Sequence, residues 1–229
     1  MRKIISLLFI IALFGCSSGS VSVSDLRDGD LLFVVNDLGN NITDVTVGVD
    51  GLKIDHVAVY AGGNIIEAVP CHGVWRIPLD SFFVRLAEAD AVMVGRVDGL
   101  DADASIGNAE RFLGSPYDDI FMPDDSALYC SELVQKLFVF KERCGEVDSA
   151  GDQYGKEEDS PQAVFGTIPM SFHDNSGNVT EFWTKFYAAR GLKVPEGEPG
   201  TNPGQLSRDN NVKLLGYLRF DTSALRQAQ

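Results

Sequence analysis

The sequence predicts an α+β domain in which an antiparallel sheet carries helices on one side. Residues 54–61 alternate between apolar and polar side chains, as a half-buried strand does. Gly62, Gly63 and Asn64 follow as a hairpin turn, so 65–69 is predicted to return beside the first strand. Between 126 and 141 the apolar residues recur at helical spacing, which predicts the longest helix of the chain.

Shorter elements complete the predicted domain. Apolar or alternating runs bounded by turn residues predict further strands at 31–35, 73–77, 91–97 and 212–220. Amphipathic spacing predicts further helices at 79–87, 102–113 and 179–189. Segments rich in Asn, Asp, Gly or Pro are predicted to be surface loops, at 36–51, 142–160 and 194–210.

The first fifteen residues predict an export signal. Arg2 and Lys3 precede an apolar run at 4–14, which is too short to span a bilayer as a helix. The run ends in the letters LFGC, which resemble the lipobox of bacterial lipoproteins, in which Cys16 would be lipidated. A plain secretory signal with an incidental cysteine is the alternative.

The signal divides the chain into three predicted parts. Residues 1–15 are predicted to form a lipoprotein signal peptide, 16–25 a flexible tether that contains Ser and Gly, and 26–229 one domain. A lipid on Cys16 would hold the mature protein in the periplasm, attached to the bacterial membrane.

Charge and cysteine content limit the possible partners. The formal net charge is −14, and nucleic-acid binding is not expected, because contacts to phosphates need clustered Lys and Arg. No CxxC or HExxH pattern is present, so we expect no metal site and no cofactor. With Cys16 lipidated, three cysteines remain, and the sequence leaves open whether Cys71 pairs with Cys144.

Cys130 stands at or near the predicted N-terminus of the long helix. The helix dipole and the free backbone N–H groups there favour negative charge, and the thiolate is the nucleophilic form of cysteine. Cys130 is therefore a candidate nucleophile. A buried structural cysteine at the start of a core helix is the alternative.

A histidine and a carboxylate are predicted to meet on the sheet. Alternation along the first strand places Ile54, His56, Ala58 and Tyr60 on one face. The hairpin register makes Glu67, on the returning strand, a diagonal neighbour of His56. The carboxylate can then hold the imidazole through one ring nitrogen. A half-exposed His–Glu pair without catalytic function is the alternative.

These residues belong to blocks that resemble a known family. The blocks GDLLF, DHVAVY, IIEA, SPYDDIF and YCSELV, between residues 28 and 140, are similar to the NlpC superfamily of papain-like cysteine peptidases. Because histidine precedes cysteine, the order resembles the circularly permuted, YiiX-like branch. Residues 168–207 also fit a pattern of bacterial lipoproteins in this branch. The resemblance implies a permuted papain-like domain.

The resemblance also implies roles for single residues. Cys130 matches the nucleophile, His56 the general base and Glu67 the group that orients the base. Tyr117, within SPYDDIF, matches a tyrosine that contacts the substrate or its oxyanion, and the backbone N–H of Cys130 would be the main oxyanion donor. Trp75 and Trp183 are interpreted as core or cleft wall, and His72 and His173 as loop histidines.

The leading hypothesis is a cysteine hydrolase that cleaves amide bonds in small, peptide-like substrates derived from the cell wall. One alternative is an acyltransferase that acts on lipids, as relatives of lecithin:retinol acyltransferase do. The other alternative is a non-catalytic binding protein that keeps an inactive cleft.

Overall fold

The computed structural model describes residues 19–86, 90–123, 126–141, 165–174 and 176–220. Its nine strands are β1 (Ser20–Ser22), β2 (Leu31–Asn36), β3 (Ile54–Ala61), β4 (Asn64–Val69), β5 (Gly73–Pro78), β6 (Asp90–Val97), β7 (Ile168–Pro169), β8 (Pro199–Gly200) and β9 (Val212–Arg219). Its five α-helices are α1 (Leu79–Arg85), α2 (Ala102–Asn108), α3 (Cys130–Leu137), α4 (Glu181–Ala188) and α5 (Pro203–Ser207). Short 3₁₀ turns lie at Val23–Asp25, Val49–Gly51 and Ala109–Arg111.

Seven strands form one mixed sheet in the order β1-β9-β6-β2-β3-β4-β5, and β7 pairs with β8 separately. The neighbouring pairs in the large sheet are antiparallel except β1 and β9, which run parallel. This mixed sheet with its helices confirms the predicted α+β class. No helix in the described ranges is both long and apolar enough to cross a bilayer.

Part of the predicted tether is ordered. Ser20–Ser22 pairs with Tyr217–Arg219 at the edge of the sheet, and Val23–Asp25 forms a 3₁₀ turn. The Ser side chains of this segment suggested flexibility, but the edge of β9 offers unpaired backbone groups that an extended segment can bond. The predicted signal peptide, Cys16 and Cys144 lie outside the described residues.

Helices cover both faces of the sheet, which differs from the prediction of one covered side. Leu31 and Phe33 of β2 face a core that contains Leu133 and Leu137 of α3. The intervening residues of β2 face a second core that contains Phe82 and Phe83 of α1. The run LLFVV is apolar at every position, so both faces of β2 need a cover.

A β-bulge changes the predicted alternation in β3. His56 pairs with Val34, but Ile54 pairs with the next residue, Val35, which leaves Asp55 as the extra residue. Ile54 consequently packs in the same core as Val57, on the opposite face from His56. The prediction that Ile54 and His56 share a face is therefore wrong, and Asp55 projects from an irregular point of the strand.

Two predicted segments have different extents in the structure. The long helix is shorter than 126–141, because it begins at Cys130 and the backbone becomes extended at Phe138. The predicted loop 194–210 contains α5, which Asn202 caps by accepting a hydrogen bond from the Gln205 N–H at 2.7 Å. Its buried Leu206 joins the core beside α3, so this segment is part of the folded body.

Candidate active site

Cys130 is the first residue of α3 and is 6% exposed. Tyr129 precedes the helix in an extended conformation, and its carbonyl accepts the N–H of Leu133 at 2.9 Å. The N–H groups of the first turn have no partners inside a helix, so they can bond a substrate oxygen. The structure therefore places this thiol at a helix start, as the sequence predicted.

His56 lies between Cys130 and Glu67. Its Nε2 is 2.7 Å from Oε2 of Glu67, which leaves the second ring nitrogen, Nδ1, free of this carboxylate. Burial disfavours the charged imidazole, but the hydrogen bonds with Cys130 and Glu67 outweigh it and raise the pKa of His56 to about 10. His56 is hydrogen-bonded to Glu67, and Cys130 lies near enough to raise its pKa, so the structure brings the three groups together.

The site lies where β3 and β4 separate. The ladder between them pairs only Val59–Ala61 with Asn64–Ile66. His56 and Glu67 stand beyond the last paired residues, so their side chains occupy the widening gap between the two strands. Helix α3, which begins at Cys130, packs against both strands.

Glu67 is fully buried, and both of its carboxylate oxygens are bonded. Oε2 accepts from His56, while Oε1 accepts from Nε1 of Trp75 at 2.9 Å and from the guanidinium of Arg85. Burial alone would raise the pKa of Glu67, but His56 and Arg85 outweigh this effect and lower it. The carboxylate is therefore held in its charged form.

Sequence reasoning missed the two outer partners of Glu67. Trp75 was interpreted as core or cleft wall, although it lies directly opposite Glu67 in the β4–β5 ladder. Pairing the two strands by register would have found it. Arg85 ends α1, and its guanidinium lies 5.3 Å from the centre of the Trp75 ring. No local pattern indicates the position of Arg85.

The thiol opens into a pocket of about 570 Å³, counting its mouth. Five aromatic side chains contribute to its wall, from Tyr117, Phe121, Tyr129, Phe172 and Trp183. Thr201, Asn202 and Pro203 close one side, so the segment after β8 is a wall of the cleft. The size suits one amino-acid side chain or a short acyl group better than a folded protein segment.

Tyr117 lines this pocket with Cys130. Burial is the main cause that raises the pKa of Tyr117, and the nearby Cys130 raises it further. The hydroxyl of Tyr117 therefore keeps its proton. The backbone of its loop is fixed, because the Asp118 carboxylate accepts the N–H groups of Ile120 and Met122, each at 2.9 Å. Tyr117 can therefore donate a hydrogen bond from a rigid position.

The remaining histidines lie elsewhere. His72 stacks on the Trp75 ring, with centroids 4.0 Å apart. Nδ1 of His173 is 3.2 Å from Oε1 of Glu196. Neither histidine lines the pocket beside Cys130. Within the described part of the chain, no three His, Cys, Asp or Glu side chains group in a way that could hold a metal ion.

A cysteine at a helix start, facing a histidine on an antiparallel strand that a carboxylate supports, defines the class of papain-like cysteine hydrolases. The model of the family Peptidase_C92, described as permuted papain-like amidase enzymes of the YaeF/YiiX type, matches residues 25–216. The chain belongs to this family. Its placement in the wider NlpC superfamily remains a prediction.

A solved structure shares the fold. The protein described as metalloprotein yiiX from Escherichia coli O157:H7 superposes with a TM-score of 0.59 at 20% sequence identity. The match covers 82% of this chain and 95% of that one. No curated protein matches the chain significantly.

Proposed function

We propose that this protein hydrolyses amide bonds through a thioester formed on Cys130. The thiol proton of Cys130 is held by His56, whose raised pKa keeps the imidazole protonated, and the Sγ thiolate attacks the carbonyl carbon of the substrate. The C–N bond then breaks, and the amine leaves with the proton from His56. Water attacks the thioester and gives a proton to His56, the C–S bond breaks, and the free acid and the thiol are restored. The observation that carries this proposal is the row Cys130, His56, Glu67 beside a pocket.

The neighbouring groups have supporting roles in this proposal. Glu67 fixes the orientation of the imidazole and stabilises its charged form. The backbone N–H of Cys130 and the hydroxyl of Tyr117 donate to the oxyanion of the tetrahedral intermediate. The raised pKa of Tyr117 supports its role as a donor, because a protonated hydroxyl is needed.

The proposed substrates are small amides of peptide character, such as fragments of the cell wall. The size of the pocket supports a small substrate. The signal sequence and Cys16 support a periplasmic location, which would bring the enzyme to such fragments. A Cys16→Ser variant should lose acyl labelling and leave the membrane fraction, and unchanged membrane retention would contradict the anchor.

Turnover of muropeptides and amino-acid amides tests the reaction. Wild type should release an acid and an amine, and Cys130→Ala and His56→Ala should not. Cys71→Ala is the matched control, because Cys71 is a free, exposed thiol outside the pocket. Equal turnover by wild type, Cys130→Ala and His56→Ala would contradict the proposal.

The apolar wall of the pocket favours one second candidate, transfer of an acyl group from a lipid. Such a reaction would pass through the same thioester on Cys130, with an alcohol as leaving group. Intact-protein mass spectrometry after exposure to phospholipid vesicles would detect a fatty acyl adduct on Cys130. An adduct formed from phospholipid, together with no turnover of peptide amides, would favour this candidate over the first.

A further inference from the structure

Tyr129 connects the start of α3 to a segment that lies 72 residues further along the chain. Its hydroxyl accepts the backbone N–H of Thr201 at 3.2 Å, and both residues are buried. Thr201 belongs to residues 199–203, the wall segment, which contains β8 and the first residue of α5. The ring of Tyr129 packs edge-on against Phe121, with centroids 5.3 Å apart. Because Tyr129 directly precedes Cys130, this hydrogen bond fixes the wall segment relative to the thiol.

A glycine allows this close approach. A β-carbon on Gly200 would collide with the side chain of Met170 and would lie 3.2 Å from the hydroxyl oxygen of Tyr129. The backbone of Met170 also bonds the chain just before the wall segment, because its N–H donates to the Glu198 carbonyl at 2.8 Å. A side chain at position 200 would therefore push the wall segment away from both Tyr129 and Met170.

A second set of hydrogen bonds returns from the wall segment to α3. Oγ1 of Thr201 donates to the side chain of Gln205 at 2.9 Å, and the Gln205 amide donates to the carbonyl of Gly166 at 2.9 Å. The same carbonyl accepts from the side chain of Gln135 in α3 at 3.2 Å. The wall segment is thus bonded to α3 directly at Tyr129 and indirectly at Gln135. The direct bond lies at the end of α3 that carries the thiol.

The wall segment forms part of the pocket that Cys130 opens into. Thr201, Asn202 and Pro203 line this pocket, and so does Tyr129. The position of the wall segment therefore determines how wide the pocket is beside the thiol. Without the hydroxyl of Tyr129, the N–H of Thr201 would be a buried donor that has lost its partner. A buried N–H without a partner is unfavourable, so the wall segment would move outward until water reaches it.

We propose that Tyr129 is a positioning residue that sets the width of the pocket, and with it the largest acyl group that reaches Cys130. It acts through the wall segment, which its hydroxyl holds close to the thiol. The inference rests on the proposed function, because the width of the pocket matters only for a substrate that the thiol attacks.

Hydrogen–deuterium exchange of the full-length protein tests the hydrogen bond itself. Tyr129→Phe keeps the ring and removes the hydroxyl, so the backbone amides of the wall segment should exchange about tenfold faster. Exchange in β3 should stay at the wild-type rate, which separates local release from a general loss of stability. Tyr60→Phe is the matched control, because Tyr60 packs against the second core and should leave the wall segment unchanged.

Alkylation of Cys130 by reagents of two sizes tests the effect on the pocket. Iodoacetamide is small and N-(1-pyrenyl)maleimide is bulky, and mass spectrometry of the peptide that contains Cys130 gives the rate for each. The ratio of the bulky rate to the small one should rise at least fivefold in Tyr129→Phe, because the displaced wall segment admits the larger reagent.

Two glycine variants test the same step without changing Tyr129. Gly200→Ala should also raise the ratio of alkylation rates, because the added β-carbon displaces the wall segment. Gly166→Ala is the matched control, since no atom lies within 4 Å of its added carbon and its carbonyl remains. The control should keep the wild-type ratio.

Several results would overturn the inference. These are an unchanged exchange rate in the wall segment of Tyr129→Phe, an unchanged ratio of alkylation rates in that variant, or equal changes of the ratio in Gly200→Ala and Gly166→Ala. A Cys130 that neither reagent modifies in wild type or variant would also overturn it, because no width of the pocket would then matter.

Turnover of amides separates this inference from the proposed function. If wild type hydrolyses amides while exchange and alkylation are unchanged in Tyr129→Phe, the role of Tyr129 is wrong and the hydrolase stands. If wild type hydrolyses no amide while exchange and alkylation both change as expected, the hydrolase is wrong and the control of pocket width by Tyr129 stands.

Discussion

Nε1 of Trp75 donates a hydrogen bond to Oε1 of Glu67 at 2.9 Å, from the position directly opposite on the neighbouring strand. Arg85 donates to the same oxygen, and His56 is bonded to the other. The carboxylate therefore cannot rotate without losing a partner. This fixed carboxylate determines where the imidazole of His56 points.

Glu67→Gln should lower kcat/KM by about 100-fold, because a neutral amide orients the imidazole but does not stabilise its charged form. The side chain keeps its size, so the fold should survive. Steady-state kinetics on the best amide substrate measure the effect. Glu110→Gln, which removes the exposed partner of Arg76, should leave the rate unchanged. Wild-type activity of Glu67→Gln would contradict the role of the carboxylate.

Arg85→Gln should move the acid limb of the pH profile of kcat/KM to higher pH. The guanidinium is one of the groups that lower the pKa of Glu67, so its loss raises that pKa. The carboxylate then becomes protonated at a higher pH than in wild type. Arg76→Gln is the control, since Arg76 pairs with Glu110 instead. An acid limb at the wild-type position would show that Arg85 does not act on Glu67.

Protein stability should fall as the pH rises from 6.5 towards 10. The pKa of His56 is raised from 6.5 to about 10 in the folded protein, so in this window the folded state holds a proton that the unfolded state has released. This contribution is complete below pH 6.5 and is lost as the pH passes through the folded-state pKa. Its slope is at most about 1.4 kcal/mol per pH unit.

Urea unfolding at several pH values measures that slope, and His56→Gln is the comparison. The variant is expected to be less stable overall, because Glu67 loses a partner, so only the slopes are compared. Parallel slopes for the two proteins between pH 6.5 and 9 would contradict the raised pKa of His56.

Gly73→Ala should destabilise the fold by about 2 kcal/mol or more. Gly73 has φ of +69°, and a β-carbon there would collide with the backbone oxygen of Ser115. Gly63→Ala is the control, because φ is +83° but no atom lies within 4 Å of the added carbon. Thermal unfolding should show a larger loss for Gly73→Ala than for Gly63→Ala. Equal losses of stability in the two variants would contradict a collision between the added carbon and the backbone of the Tyr117 loop.

Local patterns were sufficient to predict part of the site. Alternation in β3, a Gly-Gly turn and the hairpin register placed Glu67 beside His56, since all three depend on residues close in sequence. The apolar spacing after Cys130 likewise predicted the helix that became α3, with Cys130 near its N-terminus. These elements depend on residues close in sequence, so the amino-acid sequence alone predicts them.

Long-range packing decided what the sequence did not predict. The bulge at Asp55 has no local marker, because it depends on how β2 and β3 fit their two cores. Arg85 reaches Glu67 only because α1 covers the face opposite α3, an arrangement that no periodicity reveals. The Pro-rich segment 194–210 was predicted as a loop, although the buried Leu206 anchors it beside α3.

The pairing of Ser20–Ser22 with β9 limits how far this protein could extend from a bilayer. Four peptide units separate Cys16 from Ser20, and an extended chain advances at most about 3.5 Å per residue. With the proposed lipid on Cys16, the edge of the sheet would stay within about 14 Å of the headgroups. A hydrolase tethered in this way would meet substrates that diffuse to the membrane surface.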